Sequence, residues 1–105
     1  MSENDSLKSL ISIVDSMLSD IENRVNMESI GEKYSELKTQ TENEIKTLSN
    51  SPTNQYVEAI YLPALQEFKL CLKAPKGTNH PGKLYDALLD GVGILKWYAD
   101  QADET

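Results

Sequence analysis

The sequence predicts an all-α fold, a four-helix bundle of up-down-up-down topology whose third helix is kinked near Pro63. Three observations predict it. Apolar residues recur at helical spacing through four stretches, roughly residues 5–25, 29–49, 52–73 and 82–102. Most of these stretches are joined by short turn-forming clusters, which favour antiparallel neighbours. The chain has 105 residues, 39% hydrophobic and 26% charged, values that suit one domain over residues 1–105 with a core that needs no metal or disulfide.

In the first stretch Leu7, Ile11, Val14, Leu18, Ile21 and Val25 alternate steps of four and three, widened by Leu10 and Met17. Asp5 or Ser6 supplies a side-chain oxygen for a free amide of the first turn. The stripe then loses phase. The next apolar positions are Met27, Ile30, Tyr34 and Leu37, while Glu28 and Glu32 stand where a continued heptad would be apolar. A turn is therefore predicted near residues 25 to 29, with Ser29 and Glu32 as a capping box that opens the second helix. That helix has the weakest apolar face, with Thr41 in an apolar register position between Leu37 and Ile45.

Ser51 followed by Pro52 reads as the start of the third helix, because proline at the first helical position sacrifices no hydrogen bond. Its apolar positions, from Tyr56 and Ile60 to Phe68, Cys71 and Leu72, keep a helical period across Pro63. Proline removes one backbone bond and crowds the carbonyl four residues earlier, so the pattern fits a kink near Ala59 to Leu62 or two shorter helices. Ala74 to Gly82 holds two prolines and two glycines and is predicted as the one substantial loop. The fourth helix follows on Tyr85, Leu88, Val92, Leu95, Ala99 and Ala102. Gly91 and Gly93 each cost about 1 kcal/mol in a helix interior, which points to close approach by a neighbouring helix or a partner.

Seventeen acidic against ten basic residues give a net charge of -7, a sign that repels a phosphate backbone and disfavours nucleic-acid partners. Charge is also expected to be polarised: Lys69, Lys73, Lys76, Lys83 and His80 at the loop end, Glu3, Asp5, Asp100, Asp103 and Glu104 at the end holding the termini. The single Cys71 suits a reducing, cytoplasmic setting. Residues 1–5 lack the basic and apolar character of a signal peptide, and no segment is apolar enough to span a membrane.

No catalytic set emerges. One histidine and one cysteine cannot furnish a structural zinc site or a carboxylate-bridged di-metal site, so no metal and no cofactor is expected. Cys71 lies on an expected core face, and the only triad-like set, Cys71 with His80 and Asp86, brings together a packed thiol and a loop histidine expected to pack on or cap the last helix. Gly77, Gly82 and Lys83 imitate a phosphate loop, but Leu84 replaces the required Ser or Thr and no strand precedes them. Trp97 falls at the edge of the fourth stripe. Burial against the first or second helix is the expected placement, whereas exposure beside Tyr98 would make it a binding anchor.

The expected function is that of a small acidic, non-enzymatic protein-interaction module of the adaptor, immunity or regulatory type. Its partner would dock on a helix face or on the Lys69 to Lys83 end, with Lys73, Lys76, Lys83, His80, Trp97 and Tyr98 as partner-binding candidates. A homo-oligomeric bundle and an anion or nucleotide binder at residues 74–83 are the alternatives.

Overall fold

The computed structural model describes residues 5–25, 27–50, 54–78 and 80–104. These form an all-helical bundle of α1 (Asp5–Glu22), α2 (Met27–Ser49), α3 (Leu62–Cys71) and α4 (Pro81–Glu104), with a π-helical segment, Val57–Tyr61, leading directly into α3. The described residues contain no strand. One apolar cluster draws on every helix, with Leu7, Val14, Tyr34, Phe68, Leu88 and Leu95 completely enclosed. Helix α4 packs most extensively, against α1 on one side and α3 on the other, while α2 rests mainly on α3 and only lightly on α1 and α4.

Helix α1 stops earlier than its apolar stripe suggests. Arg24 adopts a left-handed φ of 55°, its amide donates to the Ile21 carbonyl at 3.1 Å, and the Val25 amide donates to Asp20 at 2.9 Å. This pair of bonds is the Schellman arrangement, which satisfies carbonyls that the helix end leaves free. Val25 is thus the third residue beyond the helix, 51% exposed, and not its last core position. Helix α2 begins at Met27, so Ser29 and Glu32 lie inside its opening turns and do not mark its start. The buried Thr41 hydroxyl donates to the Leu37 carbonyl at 2.8 Å, which satisfies its polar atom where the stripe lacks an apolar side chain.

The expected start at Ser51 and Pro52 lies outside the described residues. Asn54 caps the helical stretch that follows, its Oδ1 accepting from the Val57 amide at 2.9 Å. The Leu62 amide then reaches back five residues to the Val57 carbonyl, the bond that defines a π turn. This wide turn sits where Pro63 removes an amide and crowds the Ala59 carbonyl. Helix α3 ends at Cys71, two residues before the expected limit.

At α4 the histidine expectation is met in detail. The His80 carbonyl accepts the first helical bond, from Leu84 at 3.1 Å, and its Nδ1 accepts from the Lys83 amide at 3.3 Å, with Pro81 at the first helical position. Gly91 is required by contact, since a β-carbon there would stand 2.6 Å from Cε1 of Phe68. Gly93 has no such reason: its β-carbon would meet nothing within 4 Å.

Candidate functional site

The Ala74 to Thr78 part of the loop is strapped onto α2. The Tyr34 hydroxyl donates to the Ala74 carbonyl at 2.7 Å, and Nζ of Lys38 donates to the same oxygen at 3.2 Å. The Gly77 amide donates to Oγ of Ser35 at 2.7 Å, and that hydroxyl donates on to the Gly31 carbonyl at 3.1 Å. Burial pushes the Tyr34 phenol above its ordinary pKa, against the opposing effect of its bond to Ala74. Lys76 pairs with Glu42 at 3.4 Å. The loop amide that would have to face a bound phosphate is therefore turned to Ser35, and the nearby lysine already has a carboxylate.

Lys73 and Lys83 come together at a groove of about 300 Å³ between α3 and α4, which also takes in Cys71, Asp86 and Asp90. Its charges are mixed, so the lysine end is not a uniform basic surface. Cys71 is half-buried at this groove, off the core face on which it was expected, because Phe68 and Leu72 occupy the enclosed positions. Burial raises the thiol pKa; Asp90 and Glu67 raise it further, and Lys73 opposes them. Such a thiol stays protonated at neutral pH and is a poor nucleophile. His80 does not line the groove; its Nδ1 faces the Lys83 amide.

The outer face of α4 carries the feature that sequence reasoning placed in the core. Trp97 is 56% exposed and does not close the bundle against α1 or α2. Its position two residues past enclosed Leu95 rotates it to the far side of the helix, a rotation of about 200°. Its ring meets Tyr98 edge-on, with centroids 4.8 Å apart. Tyr98 is half-buried, and its pKa is raised by burial and then by its hydrogen bond to Glu67. Leu89, 48% exposed, lies two turns before Trp97, and exposed Gly93 lies midway on the same line. Asp86, Asp90 and Asp100 are exposed around this line and form no ion pair with a described residue.

The sequence marks Gly93 as a point of close approach, Asp86 as part of a triad-like set and Asp100 as part of an acidic end, but nothing in it joins these with Leu89 and Asp90 into one face. The available signal was the spacing of four and eight residues from Leu89 to Gly93 and Trp97, which sets a second apolar line on the side of α4 opposite Leu88 and Leu95. A further depression of about 380 Å³ lies between α1 and α2, with Ile13, Met17 and Leu37 among its walls. The described residues hold no cluster of three His, Cys, Asp or Glu side chains suited to a metal, and no described helix is long and apolar enough to cross a membrane. The chain matches no protein-family model, no curated protein and no solved structure.

Proposed function

We propose that this chain is a small, acidic, non-enzymatic interaction module that binds a protein partner through the outer face of α4, with Trp97 as the anchor. The exposure of Trp97 carries the reading. Tryptophan buries a large area on docking at little cost in side-chain freedom, and it dominates many interface hot spots. Leu89 extends the apolar surface two turns along the helix, and Gly93 between them is exposed and carries no side chain to block approach. The loop end is the weaker choice of docking surface, because Lys76 pairs with Glu42 and Lys73 and Lys83 share their groove with Asp86 and Asp90. A raised thiol pKa at Cys71 disfavours a thiolate nucleophile at that residue.

The scaffold we infer is the up-down-up-down arrangement. It is supported by the order of links between α1 and α4: Glu22 with Tyr85 at 2.6 Å, Asp15 with Lys96 at 3.6 Å and Lys8 with Asp103 at 3.4 Å. These fit two helices running in opposite directions. The π turn at Val57–Tyr61 supports a bend before Pro63.

The test is affinity capture from native extract with three baits: wild type, Trp97→Ala, and a variant with Lys73, Lys76 and Lys83 changed to Glu. A partner lost with Trp97→Ala and kept by the lysine variant is the expected result. A partner lost only with the lysine variant would move the docking surface to the loop end. Equal thermal melts of the three baits would show that lost capture is not lost fold.

A further inference from the structure

Resting on that reading of the α4 face, we infer that its partner is a basic amphipathic protein segment, whose apolar side chains cover Leu89, Gly93 and Trp97 while Lys or Arg side chains meet Asp86, Asp90 and Asp100. The charge pattern around the apolar line carries this. Successive residues turn by about 100°, which sets Asp90 on the flank facing α3 and Asp100 on the flank facing α1, with the apolar line passing between them. On the α3 flank Glu67 adds a carboxylate beside Tyr98. The cation nearest Trp97 along the helix, Lys96, is held by Asp15 at 3.6 Å. Asp103, further along, already has Lys8 at 3.4 Å.

Asp100 thus stands near the exposed tryptophan with no ion pair to a described residue, while Asp86 and Asp90, further along the face, share their groove with Lys73 and Lys83 but form no ion pair with them. A complementary segment would supply cations at the rim and gain its affinity from the apolar centre. From Asp86 to Asp100 the face is about 21 Å long at 1.5 Å per residue, which matches about four turns of a partner helix. The same carboxylates disfavour two other occupants. A second copy would set one chain of net charge -7 against another, and an anionic lipid surface or nucleic acid would meet like charge.

Trp97 is the chain's single tryptophan, so its emission reports directly on this face. The intact protein is titrated with a synthetic amphipathic peptide of Leu and Lys, about 18 residues long so that it can hold a helix. A second peptide has Glu in place of every Lys, and a third is a scrambled Leu/Lys sequence without an apolar face. The first peptide is expected to shift Trp97 emission to the blue and to perturb amides between residues 86 and 100, and the other two to do neither. Changing Asp86, Asp90 and Asp100 together to Asn is expected to weaken it about tenfold, the combined worth of three rim charges. Changing Glu28, Glu32 and Glu36 to Gln should leave affinity within about twofold, since those carboxylates lie on α2. Gly93→Gln sets a polar side chain between Leu89 and Trp97 without touching the core and is expected to weaken binding as well.

Equal affinity for wild type and the triple Asn variant would overturn the inference. Binding of the Glu peptide at Trp97 would also overturn it while leaving the α4 face as a protein-docking surface. Perturbation confined to the α1 and α2 depression, with Trp97 silent, would overturn both readings. Failure of every peptide up to about 1 mM, a threshold of about 4 kcal/mol, would overturn the basic-partner inference, and Trp97-dependent sedimentation as a dimer would make a second copy the occupant.

Discussion

Two glycines two residues apart in one helix are expected to respond oppositely to the same change. Gly91→Ala drives a β-carbon to 2.6 Å from the Phe68 ring, which must move in an enclosed site. Overpacking of this kind costs about 1–3 kcal/mol, partly offset by up to about 1 kcal/mol of helix propensity. Gly93→Ala has no collision to offset and is expected to stabilise by about 0.5–1 kcal/mol. Thermal melts of the two variants should therefore move in opposite directions. Tyr34 gives a test by pH. Its phenol keeps its proton to higher pH in the folded chain than the ordinary value of 10.0, chiefly through burial. Below pH 10 both states are protonated and the group adds no slope. Above it the unfolded chain releases a proton that the folded chain retains, so stability falls as pH rises. Tyr34→Phe should lose about 1 kcal/mol at neutral pH, since Lys38 still serves the Ala74 carbonyl, and should show a shallower alkaline decline. Denaturant melts at pH 8 to about 11.5 would read both effects.

At the scale of the helix, the boundaries were harder to read than the faces. The stripe through Leu7, Val14, Leu18 and Ile21 was legible because burial selects residue type at every third or fourth position. The end of α1 was not, because its stop is a backbone conformation at Arg24, and arginine carries no signal for a positive φ. Replacing Arg24 by Gly removes the crowding between its β-carbon and the backbone, and is expected to stabilise α1 by about 0.5–1 kcal/mol, seen as a rise in Tm of a few degrees. Pro63 announced a disturbance in the third helix, yet the π turn that answers it is a choice of hydrogen-bond partner that no residue type encodes. His80 was readable as a cap because a nitrogen acceptor just before Pro81 has few other local uses. The candidate site was only partly legible. Trp97 and Tyr98 stood out by type, whereas the exposure of Trp97 depends on one edge position about which periodicity is silent. The strap between Ala74 and Tyr34 joins residues forty positions apart, a pairing no local pattern contains.

Across the whole molecule, cohesion is uneven. Helix α4 is held by both α1 and α3, whereas α2 meets α1 and α4 only lightly, and beyond Thr41 none of its residues is buried. Local opening should therefore begin in residues 42–49, whose amides are expected to exchange with deuterium at least about tenfold faster than those around Leu88 to Leu95. Uniform protection along α2 and α4 would contradict this. The strap over Ala74 to Gly77 has a consequence for how two copies of the chain could become entangled. The segment between α3 and α4 is the natural hinge for passing α4 into a neighbouring molecule, a rearrangement that reuses the native contacts and is limited mainly by what holds the hinge closed. Here Tyr34, Lys38 and Ser35 bind that hinge to α2, and Lys76 adds an ion pair with Glu42. Removing two of these ties with Tyr34→Phe and Ser35→Ala is expected to yield domain-swapped dimers after refolding at about 1 mM, resolved by size-exclusion chromatography, under conditions where the parent chain does not swap.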